Sequence, residues 1–456
     1  MTSPPTALEH EVLARITPTP QEEAACQTVV RDLTAAADAE LARLGMKGHA
    51  TVQGSVAKGT WISGSGDIDL FLLLDPAVPA DRLERVALDV GKRILADAHT
   101  RYAQHPYLIG TYRGRTVDLV PAYAVGAAGS KMSAVDRTPF HTAWVRTHLD
   151  AAGLASARLL KRFLTGAGCY GAQTATGGFS GYLAEVLVAS QGSFHGALRW
   201  LAGDAQPRRL HIGADEVKDD VSPLVVVDPV DPARNCAAAV QTETLAQACD
   251  AARTYLGHPR IDHFFPAPPR AEAATALHTS LAEQGATWAG VLVRPRTDRL
   301  DIVFPQFQRA ARSVAAGLED AGFAVYRTSA AANAAGDEVL LQWIANGREL
   351  PATRTHAGPL EAVVPNAERF RAKWAGHPDA AGPVRRGAAG QLEVDVRVRE
   401  RTAGQWITAH LRTGMTGRHV QDALPDARVM LDPADAPAPW APAVADTVLR
   451  RRPWER

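Results

Sequence analysis

Seven small or apolar positions, Cys26, Val29, Val30, Leu33, Ala37, Leu41 and Leu44, recur at three- and four-residue spacing. That period predicts a helix over residues 21–44 with one face packed on a sheet. A shorter helix over 4–15 precedes it, and the Thr17-Pro18-Thr19-Pro20 breaker divides the two. Beyond them the period shortens to that of strands, over 49–53, 68–74, 98–103, 107–112 and 115–121. A helix over 80–98 crosses between the second and third of these. The order predicts a small α/β layer with a mixed sheet.

From residue 139 to 256 the pattern is mainly helical, with helices over 151–164, 179–189 and 242–256 and a short strand over 224–227. Residues 259–269 hold four prolines and read as a linker. After it come a helix over 271–284, strands over 288–293, 323–327 and 339–345, a helix over 306–321 and a strand over 391–399. This suggests a ferredoxin- or RRM-like sheet, although no aromatic RNP signature is present. From Asp432 proline and alanine dominate, which predicts a poorly ordered tail. The expected organisation is a multidomain α+β protein: an α/β head over 1–140, a helical middle domain over 141–258, a C-terminal α+β body over 270–430 and a tail over 431–456.

Within the apolar pattern three acids stand out. Asp67 and Asp69 sit at the beginning of the second predicted strand, and residues two apart on a strand share a face. Asp118 interrupts the strand Thr116-Val117-Asp118-Leu119-Val120, where a lone acid is costly without a partner. Paired carboxylates in a partly buried place repel each other unless a cation lies between them, and oxygen-only ligands suit Mg2+. Upstream, Gly54-Ser55 forms a corner whose backbone N–H groups and hydroxyl suit a phosphate.

Taken together, G-S, about ten residues and then D-x-D resembles the signature of the nucleotidyltransferase superfamily. The resemblance narrows along the chain. Residues 101–107 (RYAQHPY), 133–141 (SAVDRTPFH), 170–172 (YGA), 178–183 (GFSGYL) and 227–235 (VDPVDPARN) are similar to those of class I, archaeal-type CCA-adding enzymes. Weaker likeness continues to about residue 345, through Arg309 and Arg312. The resemblance implies a polymerase β-like head, a helical neck and a tRNA-binding body. It implies attack by a tRNA 3′-hydroxyl on the α-phosphate of CTP or ATP, with two Mg2+ held by Asp67, Asp69 and Asp118. It further implies triphosphate contacts from Gly54, Ser55, Lys58, Lys161 and Tyr170. His105 and His141 would lie near the nucleotide, and Arg234 would read the base edge. Read without it, Lys161 is a lysine favoured by a helix C-terminus, and Arg234 caps a carbonyl.

Two departures stand in the pattern. Asp67 occupies a position where the family commonly has Glu, and Lys58 one where Arg is usual, so a bidentate phosphate contact is lost. Other readings of the same head are a specialised RNA 3′-end enzyme, for tRNA-end repair or poly(A) synthesis, and a catalytically silent RNA-binding protein. Retention of all three acids argues against the last.

Composition adds limits. The chain has 456 residues, 46% of them hydrophobic and 21% charged, with a formal net charge of +0. A surface for the tRNA acceptor stem and T arm must therefore be local. Cys26, Cys169, Cys236 and Cys249 form no C-x-x-C pair, so they read as free thiols of a reducing, cytoplasmic compartment. No apolar run is long enough to span a membrane, and a homodimer stays open.

Overall fold

The computed structural model describes residues 5–102, 106–130, 132–203, 208–210, 220–297, 300–333 and 335–456. It divides into two compact units, Met1–Ala267 with Pro453–Glu455, and Pro268–Arg452 with Arg456.

The first unit begins with helices α1 (Ala7–Ile16) and α2 (Pro20–Arg43), each closed by a Thr–Glu capping box. A five-stranded sheet follows, ordered β1-β2-β5-β4-β3. Its strands are β1 (Gly48–Gln53), β2 (Ile68–Leu74), β3 (Ala96–Tyr102), β4 (Pro106–Tyr112) and β5 (Arg115–Tyr123). Helix α3 (Gly54–Lys58) joins β1 to β2, and α4 (Ala80–Ile94) links β2 to β3. Only β2 and β5 pair in parallel; the remaining neighbours are antiparallel.

Alternation along β2 sorts its side chains. Ile68, Leu70, Leu72 and Leu74 enter the core formed with α2 and α4. Asp69, Phe71 and Leu73 therefore lie on the opposite face, where Phe71 and Leu73 meet Ala122. Helix α4 ends at Ile94, short of the expected 98. Residues from Ala96 pair with β4 instead, because sheet hydrogen bonds override the local helix preference of an alanine-rich stretch.

The rest of this unit is helical: α5 (Thr138–His148), α6 (Ala151–Gly166), α7 (Gly181–Gln191), α8 (Phe194–Ala202) and α9 (Thr242–Gly257). Two short parallel strands, β6 (Arg208–Leu210) and β7 (Leu224–Val226), pair with each other. The proline-rich segment expected to be a linker is partly core. Phe264 is fully buried with Phe163, Phe194 and Tyr255. Gly166 makes this possible, since a Cβ there would stand 2.1 Å from the His263 carbonyl oxygen.

The second unit holds α10 (Ala274–Glu283), β8 (Ala286–Val293), α11 (Leu300–Ala321), β9 (Val325–Ala332) and β10 (Val339–Asn346). It continues with β11 (Thr353–Leu360), α12 (Val364–Trp374), β12 (Arg385–Arg386), β13 (Gln391–Arg397), α13 (Ala403–Gly414), α14 (Arg418–Ala423), β14 (Arg428–Met430) and α15 (Ala441–Val448). One sheet runs β14-β8-β10-β9 and a smaller one β11-β13-β12. Arg309 and Arg312 are both exposed on α11. The tail expected to be poorly ordered is folded. Trp440, Val444 and Val448 are buried against Trp288, Leu340 and Ile344 of the larger sheet, and Trp454 enters the core of the first unit, stacked on His263. Composition predicted disorder there, but these few large apolar residues supply enough burial to order the segment. Among the described residues no helix is long and apolar enough to cross a membrane.

Candidate active site

The site starts where β1 turns into α3. Gly54 has φ +67°, and a Cβ there would lie 1.7 Å from Asp69 Oδ2. Only glycine fits, for both backbone and space. Ser55 and Lys58 follow on α3, which stops at Gly59 in the left-handed conformation. The register sets Gln53 opposite Asp69 and Asp69 opposite Asp118. Two carboxylates thus stand side by side on parallel strands, on the sheet face away from the α2–α4 core. Asp67 is exposed, immediately before β2. We expect Gly54→Ala to displace the Asp69 carboxylate, lowering activity and costing more than about 1 kcal/mol of stability. Activity and melting temperature matching the wild type would show that the corner tolerates a side chain.

Asp69 is pushed up to about 6, by burial first and then by the Asp118 and Asp67 carboxylates, with Lys58 and Lys161 opposing. The donor set is oxygen only, and a divalent cation would remove this penalty, so the acids fit a hard metal ion. Among the described residues no three carboxyl, imidazole or thiol groups stand ready as a metal cage.

The sign of the shift gives a prediction. An acid whose folded value lies above its unfolded one favours the fold only while protonated. The metal-free protein therefore loses stability as pH rises from about 4 through about 6. Asp69→Asn should remove that loss. In EDTA at mildly alkaline pH the variant should be more stable by on the order of 1–2 kcal/mol, with no difference near the unfolded value. A lower melting temperature for Asp69→Asn across the whole range would refute the repulsion.

Behind the corner lies a buried ionic cluster. Glu185, on α7, is 1% exposed. Its Oε2 accepts from Lys58 Nζ at 2.9 Å, and its Oε1 accepts from Lys161 Nζ at 2.7 Å and from the Thr60 hydroxyl at 2.5 Å. Burial works against ionisation of Glu185, but Lys161 and Lys58 outweigh it and hold the carboxyl well below the usual range. Burial lowers Lys161, with Glu185 opposing. The structure thus engages Lys161 with Glu185 and Thr60. Tyr170 stands beside Lys161. Its phenol oxygen would be 2.9 Å from a Cβ at Gly181, and Lys161 Nζ 3.6 Å from it, so glycine keeps this corner open. Burial pushes Tyr170 up to about 12, helped by Glu185 and Asp69.

A second cluster centres on Asp228, which has no exposed surface. His141 Nε2 lies 2.9 Å from Asp228 Oδ2, and Arg234 Nη1 donates to the same oxygen at 2.8 Å. The Tyr182 hydroxyl donates to Oδ1 at 3.0 Å. Burial lowers His141, against the pull of Asp228, so it is neutral near pH 7 and donates through Nε2–H. Its ring stacks on Tyr182 with centroids 3.9 Å apart, and Lys58 Nζ lies 5.1 Å from the Tyr182 centroid.

The structure therefore brings together Gly54, Ser55, Lys58, Asp69 and Asp118, with Lys161 and Tyr170 behind them, and sets His141 beside Arg234. His105 lies outside the described residues. Sequence reasoning missed Glu185, Asp228 and Tyr182. A signal existed for Glu185, the lone acid within Tyr182-Leu183-Ala184-Glu185-Val186-Leu187-Val188.

A glycine–serine corner backed by carboxylates on neighbouring strands suits a nucleoside triphosphate, and residues 39–141 match the model of the nucleotidyltransferase domain. Fold and site together define a nucleotidyltransferase. Residues 155–265 match the second domain of tRNA nucleotidyltransferase, and residues 294–432 the C-terminal domain of the CCA-adding enzyme. The CCA-adding enzyme of Halobacterium salinarum is 38% identical over 416 residues, 91% of each chain. That of Methanoregula boonei is 36% identical over 441 residues, 94% of this chain and 92% of the relative. The chain belongs to the family of CCA-adding enzymes, and it is a tRNA nucleotidyltransferase. A structure of the Cid1 poly (U) polymerase aligns with 55% of this chain and 94% of its own at 15% identity and a TM-score of 0.44, which adds nothing to that assignment.

Proposed function

We propose that this protein builds or repairs the 3′-terminal CCA of tRNA from CTP and ATP without a nucleic-acid template. The 3′-hydroxyl loses its proton to solvent as its oxygen bonds to the α-phosphorus, the α–β phosphoanhydride bond breaks, and pyrophosphate leaves. The observation that carries this reading is the Asp69–Asp118 pair, in register on parallel strands beside the Gly54 corner. Asp67, Asp69 and Asp118 would hold two Mg2+. When bound, the ions supply positive charge that acidifies the attacking hydroxyl and stabilises the leaving phosphates.

The chain's own residues would divide the remaining work. Gly54 and Ser55 present the corner to the triphosphate. Lys58 and Lys161 set positive charge behind it, near enough to lower Asp69. The Tyr170 phenol, held protonated by its surroundings, is a hydrogen-bond donor beside them. Arg234, one-third exposed, offers its free donors to the base. The exposed Arg309 and Arg312 would meet phosphates of the acceptor stem and T arm, so tRNA binding should weaken steeply with salt. Four buried cysteines outside any disulfide support a reducing compartment, the cytoplasm.

The test is incubation with tRNA lacking CCA, Mg2+ and single labelled nucleotides, followed by sequencing of the extended ends. Addition of C, C and then A is expected. Extension by A alone, or equal activity on unstructured RNA, would favour a poly(A) polymerase-like enzyme.

A further inference from the structure

We infer that Asp228 is a positioning residue that aims Arg234 at the nucleotide base and so sets nucleotide choice. This rests on the reading of Arg234 as the residue that meets the base.

The Asp228 carboxylate is fully buried and accepts four hydrogen bonds. Oδ2 takes Arg234 Nη1 and His141 Nε2–H at 2.8 and 2.9 Å; Oδ1 takes the Tyr182 hydroxyl and the Val230 N–H at 3.0 and 3.1 Å. Burial alone would favour the neutral acid, but these donors outweigh it and hold the carboxyl well below its usual range. Asp228 is thus a fixed negative charge. Arg234 has one nitrogen tied to it, while the side chain keeps 33% of its surface exposed.

The backbone is held as firmly. The Asp228 N–H donates to the Arg234 carbonyl at 3.0 Å, and the Arg234 N–H to the Asp231 carbonyl at 2.8 Å. Arg137 holds Asp231 at 2.7 Å, tying the turn to the start of α5. Asn235 then fastens the chain to β7 by accepting the Val226 N–H at 3.0 Å. An untethered arginine carries much rotamer entropy that it must lose on binding. Here much of that is lost on folding, before any nucleotide arrives.

A fixed guanidinium discriminates because it only donates. On the Watson–Crick edge the ring nitrogens of cytosine (N3) and adenine (N1) are acceptors, whereas those of uracil (N3) and guanine (N1) carry hydrogen. An aimed fork therefore suits C and A and leaves a donor unpaired against the ring nitrogen of U or G. A fork free to swing can relax away from the wrong base, and selectivity falls.

The experiment compares kcat/KM in full-length wild type, Asp228→Asn, Arg234→Ala and the double variant, for CTP and UTP on tRNA lacking CCA and for ATP and GTP on tRNA ending in CC. Ratios between nucleotides do not depend on the folded fraction, so a purely structural defect leaves them unchanged. We expect Asp228→Asn to lower the CTP/UTP and ATP/GTP ratios at least tenfold, and to add little to Arg234→Ala. Asp228→Glu keeps the charge but moves it by one methylene; it should also lower the ratios, and it serves if Asp228→Asn proves insoluble. Altered ratios in Arg234→Ala, with Asp228→Asn and Asp228→Glu within twofold of wild type, would overturn this inference and leave the role of Arg234 standing. Unchanged ratios in all variants would overturn both.

Discussion

Asp118→Ala should lower nucleotide incorporation about 1,000-fold or more while tRNA affinity and secondary structure persist. Asp118 is the register partner of Asp69 on β5, so it shares the sheet face proposed to carry the chemistry. In the proposed reaction negative charge grows on the phosphoryl oxygens and the leaving pyrophosphate, and a cation held by these acids would meet it. Losing several kcal/mol of that stabilisation corresponds to about three orders of magnitude in rate. Alanine should fold well here, because it removes an acid from a strand whose neighbours Val117 and Leu119 are fully buried. Single-turnover incorporation with saturating tRNA is the measurement. Turnover within tenfold of wild type would end the assignment of Asp118 to the reaction.

Glu185→Gln should be the most damaging of the uncharged, size-matched substitutions in the first unit. It leaves Lys58 and Lys161, both buried, without their shared counter-charge. Breaking a buried ion pair from one side costs about 3–5 kcal/mol. The pH dependence follows from the sign of the shift. The folded carboxyl lies below its unfolded value, so its contribution is complete above the usual glutamate range. It fades as pH falls through the folded value. The difference between wild type and Glu185→Gln in urea denaturation should therefore be largest at neutral pH and shrink in acid. A constant difference, or one below about 1 kcal/mol, would show that the lysines find other partners.

These two residues differ in how far the sequence announced them. Asp118 breaks an apolar strand pattern, and such a conflict is visible in one dimension. Ile68–Leu74 was legible for the same reason, and its bounds in the fold agree. Glu185 also interrupts an apolar run, but its meaning depends on Lys58, 127 positions away. Lys161 was visible as a residue, yet no periodicity says that its ammonium turns toward Glu185 and Thr60. Asp228 lay inside a quoted motif, but only the folded turn shows it carrying Arg234, His141 and Tyr182. In the second unit, β11 escaped detection because most of its positions are exposed, so it lacks the alternation that marks a half-buried strand. The tail misled in the other direction: its composition is that of a loose chain, while Trp440 and Trp454 are 3% and 2% exposed.

The contacts behind the Gly54 corner bear on how this enzyme can be taken apart. Arg158 of α6 donates to the Trp61 and Gly59 carbonyls at 3.0 and 2.7 Å. Lys161 and Glu185 grip Thr60 and Lys58 from the same side. A fragment ending at residue 140 would uncover a buried lysine, a buried threonine and two carbonyls at once. The loop that leads to Asp67 would lose its backing before any catalytic group had been touched. The head is thus a poor cassette for grafting onto other RNA-binding domains. A chimera that is to keep activity should place its junction beyond Gln191, so that α6 and α7 travel with the strands they brace.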